Sequence, residues 1–128
     1  MPGETLLIVD DNPVNTKLAS ITLKVAGYDV HSAGDAYEAL EVLQTLRPAL
    51  ILMDLQMPGM DGLTLTRQLR NDPDQRDVRI IAITSYAMKG DEEKALAAGC
   101  DGYIPKPIDT RTFAETIAGY LSTDRASA

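Results

Sequence analysis

Five short apolar runs alternate with five segments of helical periodicity, and this alternation restricts the fold more than any other feature of the chain. Strands that alternate with helices predict an α/β fold, in which a parallel sheet carries helices on both faces. The predicted strands span residues 5–9, 28–32, 49–53, 79–84 and 102–104, and the predicted helices span residues 13–26, 35–46, 62–70, 91–98 and 109–121. Asp109 is the candidate N-cap of the last helix.

The size of the chain predicts one domain. Its 128 residues are typical of a single domain, and we assign residues 1–121 to that domain and residues 122–128 to a polar tail. The formal net charge of −7 opposes binding to nucleic acid and to anionic lipid, because both are negatively charged.

The sequence carries no membrane or export signal. Its longest apolar runs are far shorter than the roughly 18–20 residues that span a bilayer, and its N-terminus lacks the features of a signal peptide. We therefore expect a cytoplasmic protein without membrane contact. The single cysteine, Cys100, reads as a buried apolar residue, and the single histidine, His31, excludes a multi-histidine metal site.

Polar residues recur where the predicted strands end. Asp10 and Asp11 follow the first strand, Asp54 follows the third, Thr84 ends the fourth and Lys106 follows the fifth. In open α/β sheets the ligand crevice lies outside these carboxyl ends, so the five residues form a candidate site. Each also has a simpler interpretation: the first two acids could cap the next helix, Asp54 could be a turn residue, Thr84 suits a strand end and Lys106 could be solvated.

The residue types at this edge favour phosphoryl transfer. If the first and third strands are neighbours, three carboxylates converge and repel one another unless a cation intervenes. Oxygen ligands without a closed cage suit Mg²⁺, and a lysine and a threonine hydroxyl can hold phosphoryl oxygens. An aspartate can act as the nucleophile, which makes Asp54 a candidate phosphoryl acceptor. No dinucleotide-binding or P-loop motif is present.

Four motifs make the chain resemble the receiver domains of two-component response regulators, over about residues 5 to 121. A further stretch, residues 87–93 with 99–100, resembles DivK-like single-domain regulators, and similar stretches occur in receivers of hybrid histidine kinases. The four motifs are Leu7-Ile8-Val9-Asp10-Asp11-Asn12, residues 52–62 (LMDLQMPGMDG), Ile83-Thr84-Ser85 and Tyr103-Ile104-Pro105-Lys106-Pro107.

The resemblance implies a doubly wound, flavodoxin-like (βα)5 fold with strand order 2-1-3-4-5. It implies that Asp54 takes phosphate from a phosphohistidine on a histidine kinase or a histidine phosphotransfer protein. Asp10, Asp11 and Asp54 would bind Mg²⁺ together with the backbone carbonyl of Gln56.

The resemblance also implies a switch. Lys106 would contact the phosphoryl group, Thr84 would close onto it and Tyr103 would be the aromatic switch residue. The Lys106–Pro107 peptide bond would be cis. Altered contacts with a downstream protein would carry the signal.

On this interpretation the protein is not an enzyme beyond its own phosphorylation and autodephosphorylation. One alternative is a phosphatase that hydrolyses small phosphoesters through an aspartyl-phosphate. Such enzymes usually carry a second acid two positions after the nucleophile, where this chain has Gln56. The other alternative is a receiver domain cut from a hybrid histidine kinase.

Overall fold

The computed structural model describes residues 3–84, 90–106 and 108–122, and in these ranges strands and helices alternate strictly. The strands are β1 (Thr5–Val9), β2 (Asp29–Ala33), β3 (Leu50–Asp54), β4 (Arg79–Thr84) and β5 (Gly102–Pro105). The helices are α1 (Pro13–Val25), α2 (Ala36–Val42), α3 (Gly62–Arg70), α4 (Asp91–Ala98) and α5 (Phe113–Ser122). The predicted α/β architecture is confirmed.

The five strands form one parallel sheet in the order β2-β1-β3-β4-β5, which confirms the predicted order. β1 and β3 are therefore neighbours, and Val9 pairs with Met53 at their carboxyl ends. The next residue of β3, Asp54, pairs with Ile83 of β4. This register brings the ends of β1, β3 and β4 to the same edge of the sheet.

Successive residues of the central strands contribute to two separate apolar cores, as expected for strands covered on both faces. In β3, Leu50 and Leu52 pack toward α1 and α5, in a core that includes Leu23 and Phe113. Ile51 and Met53 pack toward α2, α3 and α4 on the other face. We call these two cores the α1/α5 core and the α2/α3/α4 core.

Asn12 caps α1, so the interpretation of Asp10 and Asp11 as helix caps is wrong. The Asn12 side chain accepts hydrogen bonds from the backbone N–H groups of Val14 and Asn15, and Pro13 takes the first helical position, where its missing N–H costs nothing. Both aspartates are thereby left for another role.

Two predicted helix boundaries differ from the structure by four residues, and the others agree to within one residue. α2 ends at Val42 rather than residue 46, because the carbonyl of Leu43 accepts hydrogen bonds from the side chains of Arg47 and Gln75 instead of continuing the helix. α5 begins at Phe113 rather than residue 109. Asp109 does not cap it: its carboxylate accepts from the backbone N–H of Arg111 in a turn that precedes the helix.

The boundaries of three strands differ from the prediction by one residue. β2 and β3 each begin and end one residue later than predicted, which makes Asp54 the last residue of β3, and β5 extends to Pro105. Cys100 is buried, as predicted, and His31 is exposed on the edge strand β2. Among the described residues no helix is long and apolar enough to cross a membrane.

At the amino end of the sheet, Arg70 joins three elements. Its Nε donates to the carbonyl of Gly99, 2.9 Å away, and its Nη1 donates to the carbonyls of Arg76 and Val78. Its Nη2 lies 2.9 Å from Oδ2 of Asp101. Gly99 has a positive φ of 115°, and a Cβ there would come within 2.7 Å of the Arg70 side chain. The last turn of α3 is thus fastened to the end of α4.

Candidate functional site

Three carboxylates meet at the carboxyl edge of the sheet. Asp10 follows β1, Asp54 ends β3, and Asp11 begins the connection to α1. Carboxylate oxygens of the three residues lie within 4.8 Å of one another. The predicted convergence is therefore present, and it depends on the neighbouring positions of β1 and β3.

The three acids differ in burial and in hydrogen bonding. Asp10 and Asp54 are buried, Asp54 with only 5% of its surface exposed, whereas Asp11 faces solvent. Oδ1 of Asp10 accepts from the N–H of Asn12 at 2.8 Å, and Oδ1 of Asp54 accepts from the N–H of Gln56 at 3.1 Å. Each buried acid thus also stabilises the turn that follows its strand, which is the simpler role considered for Asp54.

Lys106 lies between the two buried acids rather than in solvent. Its Nζ is 3.2 Å from Oδ2 of Asp10 and 3.5 Å from Oδ2 of Asp54. Its backbone N–H donates to the carbonyl of Thr84 at 2.8 Å, which ties the end of β5 to the end of β4. One ammonium group therefore faces two carboxylates.

Burial raises the pKa of Asp54 to about 6, from an ordinary value of 3.8. The Gln56 N–H group opposes this rise, the negative charge of Asp10 adds to it, and the positive charge of Lys106 opposes it. The ionised form of the Asp54 carboxylate is consequently harder to maintain than that of a carboxylate in water.

The two predicted switch residues lie on adjacent strands. Thr84 is buried at the end of β4, and Tyr103 of β5 is partly buried against the α2/α3/α4 core. Burial raises the pKa of the Tyr103 phenol, and the carboxylates of Asp91 and Glu92 raise it further. Tyr103 thus faces the acidic first turn of α4. The predicted cis peptide involves Pro107, which lies outside the described residues.

Comparison with known families decides the class of the protein. Residues 6–118 match the family described as "Response regulator receiver domain". The chain belongs to this family.

Relatives and solved structures agree with this assignment. The receiver domain is 42% identical over 118 residues to the polar-differentiation response regulator DivK of Brucella anthropi, a match that covers 92% of this chain and 96% of the relative. It is 29% identical to chemotaxis response regulator CheY4 of Vibrio cholerae, with a TM-score of 0.86 over 92% of this chain and 98% of that one. Receiver domains act in two-component signalling by accepting a phosphoryl group.

A third neighbour bears on the metal. The receiver domain of sensor histidine kinase PA1611 from Pseudomonas aeruginosa is 34% identical, with a TM-score of 0.86 over 94% of this chain and 99% of that one, and its structure has a magnesium ion coordinated in the active site cleft. In this receiver domain the donor set fits such an ion. Three carboxylates supply hard oxygen ligands, and the exposure of Asp11 leaves room for the water that Mg²⁺ retains.

One residue of the site did not emerge from the sequence reasoning. Gly62, the first residue of α3, approaches the backbone of Asp54 so closely that a Cβ there would lie 2.3 Å from the carbonyl oxygen of Asp54. Gly62 ends the motif of residues 52–62, but that motif does not say what the glycine does; the other signal is that glycine is a poor helix former at the start of a helix.

Proposed function

We propose that this receiver domain accepts a phosphoryl group on Asp54 from a phosphohistidine of a histidine kinase or a histidine phosphotransfer protein. One observation carries the proposal: the buried Asp54 carboxylate lies within 4.8 Å of two further carboxylates and 3.5 Å from an ammonium group. The three carboxylates carry more negative charge than one ammonium group neutralises. The site therefore suits a metal cation, and the ammonium group suits a transferred phosphate.

In the proposed step an Asp54 carboxylate oxygen attacks the phosphorus atom of the phosphohistidine. The new O–P bond forms as the P–N bond breaks, and the histidine nitrogen leaves with the electron pair of that bond. Lys106 stays beside Asp10 and contacts a phosphoryl oxygen, which supplies positive charge where the negative charge arrives. No oxidant or reductant takes part.

The same proposal assigns a magnesium ion to Asp10, Asp11, Asp54 and the backbone carbonyl of Gln56. When bound, Mg²⁺ neutralises the clustered carboxylates and the incoming phosphate. The exposure of Asp11 and Gln56 supports this assignment, because both groups lie where an ion from solvent arrives.

The output step uses Thr84 and Tyr103. A phosphoryl group adds about −1.5 to −2 charges and several acceptor oxygens, and the Thr84 hydroxyl moves toward them. Space then opens beside β5, and Tyr103 turns into it and away from the acids of α4. The face formed by α4, β5 and α5 changes shape, and a downstream protein recognises the changed face. The phosphoryl group shifts the population of two existing conformations.

The phosphodonor docks on α1. Four apolar side chains of this helix, at spacings of four, three and four residues, are between 45% and 84% exposed: Val14, Leu18, Ile21 and Val25. Such spacing forms a narrow seam of the kind that packs against another helix. Lys17 and Lys24 border the seam, and α1 contains no acidic residue. The seam thus suits a helical partner that carries apolar residues flanked by carboxylates, and it begins beside the acidic cluster.

The phosphatase alternative lacks a proton donor at the required place. Gln56 stands two positions after Asp54, and its side-chain amide has no acidic proton to give to a leaving alcohol. The hybrid-kinase alternative shares the proposed chemistry at Asp54, because it concerns only the length of the chain in which the domain occurs.

The acceptor is tested by mass spectrometry after incubation with acetyl phosphate and Mg²⁺, followed by borohydride reduction. We expect one adduct, on Asp54, and none in Asp54→Asn. Asp61→Asn is the matched control, because Asp61 caps α3 through the N–H of Thr64 and asparagine retains that function. An adduct at another residue, or undiminished labelling of Asp54→Asn, contradicts the proposal. Steady turnover of a small phosphoester would favour the phosphatase.

The docking surface is tested with a phosphorylated kinase as donor. Reversal of charge in Lys17→Glu with Lys24→Glu should slow transfer from the kinase while labelling by acetyl phosphate stays unchanged, because the small donor needs no docking. Lys94→Glu on α4 is the control. Equal transfer rates in the wild type and the double variant would show that α1 is not the docking helix.

A further inference from the structure

The segment between β3 and α3, residues 55–61, holds the acceptor by one hydrogen bond. The N–H of Gln56 donates to Oδ1 of Asp54 at 3.1 Å, while Oδ2 of Asp54 faces Lys106. The orientation of the acceptor carboxylate therefore depends on the position of the Gln56 backbone N–H group. Two close contacts constrain that position: Gly62 lies against the backbone of Asp54 and Leu55, and the Tyr37 ring lies against Gly59.

The first contact is made by Gly62 at the start of α3. An added Cβ would lie 2.3 Å from the carbonyl oxygen of Asp54 and 2.9 Å from Cα of Leu55, both of which are backbone atoms that cannot yield. The N–H of Gly62 donates to the carbonyl of Leu55 at 3.3 Å. The absence of a side chain at Gly62 thus lets α3 begin directly against the peptide that follows the acceptor.

The second contact is made by Tyr37 of α2. Its ring lies over Gly59, where an added Cβ would come within 3.2 Å of Cε2, and Gly59 has a φ of 77° that favours glycine. Tyr37 is 60% exposed, so its ring contributes little to either core. Its hydroxyl is farther from the same Cβ position, at 3.9 Å, so the ring carbons make the closer contact.

The first half of the segment is also anchored by buried side chains. Leu55 and Met57 are buried in the α2/α3/α4 core, which also includes Ala36 and Ala39 of α2, whereas Gln56 between them is exposed. Because these side chains alternate between core and solvent, residue 56 lies at the surface of the site. The backbone at residue 56 can shift only if the contact at Gly62 or the contact with Tyr37 is lost.

We propose that Gly62 and Tyr37 are positioning residues of the phosphorylation site, which act on Asp54 through residues 55–61. Gly62 holds the segment at its junction with α3, and the Tyr37 ring holds its exposed bend. Together they keep the Gln56 N–H on Oδ1 of Asp54 and direct Oδ2 toward Lys106. This inference rests on the proposed function of Asp54 for its role in phosphorylation, but the geometric claim can be tested without it.

The first experiment compares Gly62→Ala with Gly119→Ala, whose added Cβ meets nothing within 4 Å. Each variant is titrated with beryllofluoride, a phosphoryl mimic, in the presence of Mg²⁺ and well below its Tm. Displaced supporting groups typically weaken metal sites at least about tenfold, and we expect that loss for Gly62→Ala and none for Gly119→Ala. A Gly62→Ala protein that is less stable but binds beryllofluoride like the wild type would overturn the role of Gly62.

The second experiment uses Tyr37→Ala and Tyr37→Phe, which decide the matter if Gly62→Ala does not fold. Because Tyr37 is exposed, both variants should unfold within a few degrees of the wild type. We expect faster amide hydrogen exchange at Gln56 in metal-free Tyr37→Ala, together with weaker beryllofluoride binding. Tyr37→Phe should match the wild type in both, because it keeps the ring. Unchanged exchange and binding in Tyr37→Ala would overturn the role of the ring.

The two measurements separate this inference from the proposed function. If the wild-type protein fails to bind beryllofluoride, the proposed function of Asp54 fails. The exchange rate of the Gln56 amide in metal-free protein still decides whether Tyr37 positions the segment, because it requires no phosphoryl mimic.

Discussion

The two ends of the sheet use the same kinds of charged groups for opposite purposes. At the amino end Nη2 of Arg70 lies 2.9 Å from Asp101, and at the carboxyl end Nζ of Lys106 lies 3.2 Å from Asp10. Both basic side chains are equally shielded, with 14% of their surface exposed. Distance and burial therefore do not distinguish the two ends.

The two ends differ in how completely the charged groups are matched by hydrogen-bond partners and opposite charges. The Arg70 guanidinium donates to three carbonyl oxygens and one carboxylate, and that carboxylate also accepts from the N–H of Ile80. At the other end one ammonium group faces a cluster of three carboxylates, which leaves a formal charge of −2 when all four groups are ionised. The Arg70 end joins elements of the fold, whereas the Lys106 end keeps an excess of negative charge that suits a cation.

The largest expected effect on stability comes from the Arg70 end. Arg70→Ala should lower the free energy of unfolding by about 3 kcal/mol, because it removes the donor of four hydrogen bonds, three of them partly buried. Urea unfolding measures the loss, and Arg67→Ala, an exposed residue on the same helix, is the control. A loss below about 1 kcal/mol, typical of a surface pair, would remove the distinction between the two ends.

Asp54→Asn should change the free energy of unfolding in the opposite direction. In metal-free protein at pH 7.5 we expect a gain in stability of about 1–3 kcal/mol, because the folded protein no longer has to keep this buried group ionised. The pKa of about 6 in the folded protein exceeds the ordinary value of 3.8, so the folded protein binds the extra proton between these values. The destabilisation is complete above about pH 6 and absent below about pH 4. Thermal unfolding across this range checks it, and a pH-independent difference would contradict it.

Lys106→Met should have a smaller effect that a metal can reverse. Loss of the ammonium group should destabilise metal-free protein by about 1–2 kcal/mol, because two carboxylates lose their cation. It should also raise the pKa of Asp54 further, since Lys106 holds that pKa down. Added Mg²⁺ should restore much of the lost stability. If Mg²⁺ stabilises the variant no more than the wild type, then Lys106 does not serve as the resident counter-charge.

Asp11→Asn should change the stability of metal-free protein least, by no more than about 0.5 kcal/mol, because Asp11 is exposed. Its effect should appear only in Mg²⁺ binding, which calorimetric titration measures and which should weaken. Wild-type Mg²⁺ affinity in this variant would exclude Asp11 from the metal site.

The carboxyl end was more predictable from the sequence than the amino end. Buried parallel strands are visible in the sequence as apolar runs, and the residue after each run lies at the crevice. The proximity of Asp10, Asp54 and Lys106 could therefore be predicted from the sequence. Arg70 could not, because its acceptors are backbone carbonyls that leave no trace in residue type. Gly62 and the end of α2 were missed for the same reason, since both depend on how closely distant backbones and side chains approach.

The order of the strands also has a consequence for biosynthesis. Asp10 comes from the first strand connection and Lys106 from the last, although their side chains touch. Asp10 is synthesised early and Asp54 near the middle of the chain, whereas the ammonium group that faces both carboxylates is among the last parts of the domain to be synthesised. Since domains generally fold as units, a nascent or truncated receiver that ends before β5 lacks both the last strand of the sheet and the ammonium group that faces Asp10 and Asp54.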